Sequence, residues 1–383
     1  MRTFLSIGLL IGILVSTCGA QRFTRKAIAS TDQRIADAQK ELSADAANPA
    51  LLNQLASAYL QKMRETTDFS YVNRAEQLVK QTLKTRPGDL EGEILKNEIE
   101  LNRHHFKAVV ENTAHLVKVA PEEARLWGMM GDSLMEIGDY DRAADAYDHM
   151  LKVRLGLSSY NRVSWYRFVT GDAGGAIKAM KQAVNAAGAV PENLAWCLVD
   201  LGNLYFKIGR LEDAESSYRA ALETFPHYHP AYAGLGRVST AEHRSQEAIA
   251  AYRKAQAAVP LPEYAGALRA LYLETGEPEE ARKQEELLDV IDQLARANFE
   301  NTDRTLAIVY ADQGRHLGRA LELAKNELAF RRDVYTYDAL AWVLFKLERY
   351  SEAQEAMTKA LVWKTPEPMF QQHAKLIAEA AAR

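Results

Sequence analysis

Beyond residue 20 the apolar positions of this chain recur with a helical period almost throughout. In the stretch 198–226, Leu198, Leu201, Gly202 and Tyr205 fall at the i, i+3, i+4 and i+7 spacing of one helix face. Gly209 ends that first predicted helix, as a residue free to turn left-handed does. Ala214, Tyr218 and Ala221 line one face of a second, which Pro226 stops. No alternating stretch rich in Val, Ile and Thr competes, so the chain reads as all-α. A glycine inside a helix costs about 1 kcal/mol against alanine. Gly202 therefore predicts a close approach of paired helices, Gly202 against Ala214, with Tyr205 and Tyr218 filling the space beside them.

The same residues return. Gly202, Ala214, Tyr218, Ala221 and Pro226 recur 34 residues later as Gly236, Ala248, Tyr252, Ala255 and Pro260. Pro87 and Pro121 keep that spacing, and Ala143, Ala176, Ala281 and Ala353 fit the period stretched or doubled. A fixed period of this length is the mark of a helix-pair array. The pattern resembles the tetratricopeptide repeat. Residues 195–260 match almost throughout; Trp127, Gly131, Gly138, Tyr140, Ala143 and Tyr147 match in a unit near 124–155, and Leu340, Ala341, Tyr350, Ala353 and Ala360 in the last full unit. The resemblance implies a right-handed α-solenoid of about nine helix-turn-helix repeats, each touching only its neighbours.

Departures from the repeat shape the expected organisation. The first unit carries extra residues around Glu65 to Val72, and Asn97 and Ser164 replace the signature glycine in two others. A second helix running from Pro278 to about Asn298 exceeds what a repeat needs, and Asn301-Thr302-Asp303 reads as a new helix start. These features predict a bend or joint near residue 300. Ser30 with Gln33 fits a capping box opening a helix through Leu42. After Pro368, Phe370, Ala374 and Ile377 mark one more amphipathic helix. The expected divisions are 1–20 signal peptide, 21–47 N-terminal capping helix, 48–300 solenoid, 301–366 C-terminal repeat units and 367–383 C-terminal capping helix.

Composition agrees with a folded chain: 48% of residues are apolar and 26% charged, which excludes a disordered tail protein. The net charge of −4 comes from well-mixed signs, so no basic face recommends nucleic acid. The first twenty residues stand apart. Arg2, the apolar run Phe4 to Val15 and the small residues Ser16 to Ala20 form a secretory signal, too short to span a bilayer. Cleavage before Gln21 suits ordinary processing and a periplasmic or extracellular protein. Val15-Ser16-Thr17-Cys18 also resembles a bacterial lipobox, in which Cys18 would become a lipidated first residue on an envelope membrane. Thr17 stands where that pattern prefers Gly, Ala or Ser. Removal of the signal leaves Cys197 alone, and it reads as a small apolar residue on a packed helix.

Catalytic patterns are missing from the sequence: there is no GxxxxGK[ST], HExxH or nucleophile elbow. His227-Tyr228-His229 and His104-His105 fall short of the roughly four ligands a structural metal site needs, and read as solvated turn histidines. No cofactor, metal or catalytic residue is expected. Glu122-Glu123, Glu279-Glu280 and Glu285-Glu286 complement helix dipoles or lie on exposed faces.

What the resemblance leaves free to carry function is the inner face of each first helix. Its groove positions fall here on Asn161, Trp165 and Phe168, then on Trp196, Val199, Asn203, Phe206 and Lys207, then on Arg237. Aromatic anchors among Asn, Lys and Arg fit a protein-binding surface, since Trp, Tyr and Arg dominate interface hot spots. Tyr335, Asp338, Trp342 and Phe345 form a second candidate. The carboxylate clamp of the chaperone-binding subfamily is not matched, because Val199 and Ala233 stand where lysines belong. The expectation is an exported scaffold or adaptor that binds a protein or peptide without catalysis. The alternative is a structural subunit or lipoprotein component of an envelope assembly.

Overall fold

The computed structural model describes residues 29–188, 190–298 and 303–382. The signal-peptide reading, Cys18 and the helix start at Asn301 and Thr302 lie outside the described residues. Every regular element described is a helix. After α1 (Thr31–Ala44), helices α2 (Pro49–Thr66) and α3 (Ser70–Thr85) form the first pair. The next are α4 (Leu90–Asn102) with α5 (Phe106–Val119), α6 (Ala124–Glu136) with α7 (Tyr140–Val153), and α8 (Leu157–Val169) with α9 (Ala173–Asn185). Then come α10 (Pro191–Lys207) with α11 (Leu211–Thr224), α12 (His229–Ala241) with α13 (Ser245–Ala258), and α14 (Pro262–Glu274) with the long α15 (Pro278–Asn298). The last pairs are α16 (Asp303–Gln313) with α17 (Leu317–Phe330) and α18 (Val334–Lys346) with α19 (Tyr350–Ala360), before the unpaired α20 (Pro368–Ala381). Among the described residues the array is a solenoid of nine helix-turn-helix units, each packed on the next.

Local chemistry sets the helix starts. Asp89, Asp139, Asp172 and Asp333 each accept a backbone N–H from the first turn of the helix that follows, satisfying one of its orphan donors. Ser30 caps α1 through Gln33 N at 3.1 Å. The Gln33 amide turns instead to Asp37, at 2.7 Å, so only half of the expected capping box forms.

Within a pair, the glycine makes room for a ring. A Cβ on Gly202 would lie 2.6 Å from Cε1 of Tyr218, and one on Gly234, in the next unit, 2.5 Å from the same atom. The three atoms nearest that Gly202 position all belong to Tyr218, the ring expected to fill the space beside Gly202 and Ala214. Tyr218 is fully buried. Burying such a ring contributes roughly 1.5–3 kcal/mol, which offsets the cost of the glycine. Where the signature glycine is absent, a polar side chain turns back on the backbone: Ser164 Oγ donates to Ala176 O at 2.8 Å, and Asn97 Nδ2 to Glu93 O at 2.8 Å.

The solenoid also touches itself at two places that the repeat does not encode. The extra residues of the first unit lengthen α2 and carry it across to α10 and α12. Gln61 Nε2 donates to Glu192 Oε2 at 3.2 Å, and the Thr67 hydroxyl lies 3.0 Å from His229 Nε2. The second junction brings the C-terminal units back onto α5–α8. Arg332 N donates to Glu136 O at 2.8 Å, Val334 N to the Tyr140 hydroxyl at 3.1 Å, and Thr365 Oγ1 to Val169 O at 2.6 Å. Gly138 (φ 82°) sits in that seam, where a Cβ would stand 2.6 Å from Arg332 O. One apolar core unites Val110, Leu134, Tyr140 and Val169 with Val334, Leu344, Met357 and Phe370. A second joins Ala265 and Leu288 to Leu306 and Tyr310 across residue 300. The core is therefore continuous from α14 and α15 to α16, and the units beyond close over the inner surface of the earlier ones.

Candidate partner-binding surface

Along α10, Trp196, Asp200, Asn203 and Lys207 follow one another at helical spacing on one face. With Asn161, Arg162 and Trp165 from α8 and Asp132 from α6, they surround a cavity of about 680 Å³. That is the size of a ligand pocket rather than a packing void. Trp165 and Trp196 are 40% and 37% exposed, so both keep surface to offer.

The polar side chains form a ladder across the wall. Asn161 Nδ2 donates to Asp200 Oδ2 at 3.1 Å. Asn203 Oδ1 accepts from the Tyr218 hydroxyl at 2.9 Å and from Arg237 Nη2 at 2.5 Å. The Arg237 guanidinium lies over the rings of Phe206 and Tyr218, 6.0 and 5.9 Å from their centroids. On the opposite side, Asp132 accepts from Arg162 Nε and from the Tyr147 hydroxyl, each at 2.9 Å. At the upper end Lys207 pairs with Glu367 and reaches the Tyr335 hydroxyl at 3.2 Å. Tyr335 stacks on Trp165, with centroids 5.5 Å apart and planes at 17°.

Burial shapes the charges. It pushes the Asp200 carboxyl up to about 6, against the neighbouring Asn161 and Asn203 amides and the more distant Lys207. It pulls the Lys207 ammonium down, while the Glu367 carboxylate works the other way. At the seam, burial and then the Arg331 charge bring His104 to about 3. His104 Nε2 lies 3.0 Å from Arg331 Nη2, so a neutral ring accepts from the guanidinium.

The predicted groove residues divide into two groups. Asn161, Trp165, Trp196, Asn203 and Lys207 gather around the cavity, and Phe206 and Arg237 flank it beside Asn203. Phe168 and Val199 do not line it. They are 0% and 4% exposed, turned into the core that binds α8 to α10. The Lys207 ammonium is engaged by Glu367 and Tyr335 from the C-terminal units rather than open to a partner. The second candidate is covered by α20: Trp342 stacks on His373 at 4.0 Å and bonds Asp312, while Asp338 holds the His373 ring at 2.9 Å.

The turn histidines also differ from expectation. His104 and His229 are drawn into the two junctions instead of being solvated, because loops from distant units close over them. Among the described residues no three His, Cys, Asp or Glu side chains cluster as metal ligands. Asp132, Arg162 and Asp200 escaped the sequence reading. Asp200 stands one turn after Trp196 on the same face, and that spacing was the available signal.

The structure can now be set beside known proteins. Tetratricopeptide-repeat family models match residues 129–193, 199–261 and 334–364. No curated protein sequence matches the chain. Among solved structures, the Cut9–Hcn1 hetero-tetramer of the APC/C superposes with a TM-score of 0.55 at 15% identity, over 91% of this chain. The match spans 60% of that relative's length. MamA, at 24% identity over 42% of this chain and 92% of its own, has a TM-score of 0.35. PilW, a type IV pilus biogenesis factor, has a TM-score of 0.35 at 16% identity over 64% of this chain and 94% of its own. Repeat signature and helix pairing agree that this chain carries tetratricopeptide repeats.

Proposed function

We propose that the protein is an exported scaffold or adaptor that holds a protein or peptide partner against the inner surface of α8 and α10. One observation carries this reading. Trp165 and Trp196 belong to no repeat signature, yet both stay exposed beside the same concavity. Large aromatic side chains with a hydrogen-bonding frame beneath them are the usual anchors of protein recognition. Solenoids present such concave surfaces to partners, and scaffolds of this repeat family are typically non-catalytic. Export is supported by the apolar run behind Arg2 and the small residues before Gln21. No described helix is long and apolar enough to cross a membrane.

Trp196 gives the cleaner test, because Trp165 also packs on Tyr335. Affinity capture from the native host should retain a protein on the wild type and lose it on Trp196→Ala, with the melting temperature nearly unchanged. A Trp196→Ala protein that melts far lower, or that retains the same partner, would refute the assignment.

A further inference from the structure

One carboxylate of the cavity wall stands apart from the ion pairs around it. Arg162 is paired with Asp132, Arg331 with Glu136, and Lys207 with Glu367. Each cation that lines the cavity therefore already has its carboxylate. Asp200 lines the same cavity and forms no ion pair among the described residues; its bonding partner is the Asn161 amide, with Asn203 beside it. A half-buried carboxylate that lacks a counter-ion leaves unmet electrostatic demand.

Its surroundings suit one kind of ligand group. Trp196 lies one turn before Asp200 on α10, and Trp165 one turn after Asn161 on α8. The Asn161–Asp200 hydrogen bond joins those two helices, and the carboxylate and both exposed indoles line one cavity. Indole faces attract cations through the ring quadrupole. The protein already uses this interaction at Trp165, where the Lys207 ammonium lies 5.9 Å from the ring centroid and also 5.2 and 5.0 Å from those of Phe168 and Tyr335, whereas among the described residues Trp196 has no cation over its ring.

We infer that the cavity receives a basic side chain of the partner polypeptide, lysine or arginine, whose charge pairs with Asp200 in the cavity that Trp196 lines. This rests on the proposed role of the inner surface and adds the chemistry of the group that enters it. An acidic segment is disfavoured at this point, because each lining cation is committed within the protein.

The test uses three blocked pentapeptides, alanine throughout except for a central lysine, norleucine or glutamate, titrated onto the full mature protein by calorimetry. The lysine peptide should bind at least about tenfold more tightly than the norleucine peptide, and the glutamate peptide should not bind. Asp200→Asn, nearly isosteric and still able to accept from Asn161, should remove that preference. Equal binding of the lysine and norleucine peptides overturns the inference, as does failure of the lysine peptide to bind at all. An Asp200→Asn protein that keeps the preference overturns it too. In that last case, loss of binding by Trp196→Ala would leave the inner-surface reading standing without the charge assignment. The peptide series on the unaltered protein needs no variant to fold.

Discussion

Tyr335 stacks face to face on Trp165, at 5.5 Å between centroids, although the two residues belong to units far apart in the chain. The contact ties the C-terminal units to the inner surface they close over. Beneath it Lys207 bridges α10 to Glu367, just ahead of α20. A solenoid whose units met only their neighbours would have neither contact.

The bridge has a measurable consequence. Glu367 is 7% exposed, so removing it leaves the Lys207 ammonium, largely buried at the cavity's edge, without its counter-charge. Glu367→Ala should destabilise the C-terminal units by about 3–5 kcal/mol, whereas Lys207→Met with Glu367→Leu should recover most of the loss. Hydrogen exchange should rise around residues 331–337 and 361–370 in the single variant, with little change in α2 and α3. Equal destabilisation by the single and double variants would place the seam's strength elsewhere.

Asp200 predicts a pH dependence of definite sign. Its carboxyl is raised to about 6 in the folded protein, above its ordinary value of about 3.9. Between these values the native state holds a proton that the unfolded chain lacks, so this group's contribution falls as pH rises through that window. Asp200→Asn should therefore be more stable than wild type above pH 6, by up to about 3 kcal/mol less screening by cavity water. The difference should vanish below about pH 4. Denaturant titrations of both proteins across that range measure it, and a difference independent of pH would contradict the assignment.

His229 predicts the opposite slope at the other junction. Burial lowers its pKa to about 4, while an unfolded histidine titrates near 6.5. Its contribution is complete above pH 6.5 and declines as pH falls toward 4, because only the unfolded chain takes up the proton there. Relative to His229→Gln, wild type should lose about 2 kcal/mol between pH 7 and pH 5. Exchange should increase first near Gln61, Thr67 and Glu192, which meet at that junction. Parallel curves for the two proteins would show that His229 does not titrate in this way.

Much of the fold was legible because repeat physics is local. Gly202, Tyr218 and Ala221 each report a contact within one unit or with the next, so their spacing alone predicts the pairing. The inner face was legible only in part. Family positions include Trp196 and Asn203, which line the cavity, but also select Val199 and Phe168, which turn into the core, and they pass over Asp200. Helical spacing from Trp196 through Asn203 to Lys207 passes through Asp200. The closure by Tyr335 and Glu367 was not legible. It joins residues from distant units, and no periodicity within the chain records which loops meet. The same holds for His104 and His229, whose neighbours come from other units.

Processing is testable separately. The small residues before Gln21 predict a mature chain that begins there. Intact mass of the protein recovered from its host should match residues 21–383. A mass matching diacylglyceryl-Cys18 would instead make it a lipid-anchored protein.

Whether the partner lies on the inner surface can be read by placing a photo-reactive phenylalanine analogue at Trp196 and, in a second protein, at Arg219 on the exposed face of α11. After irradiation in the native host, adducts are separated and identified by mass. A partner held against α8 and α10 gives a discrete adduct from Trp196 and none from Arg219. An adduct from Arg219 with none from Trp196 would place recognition on the outer face and contradict the proposed function.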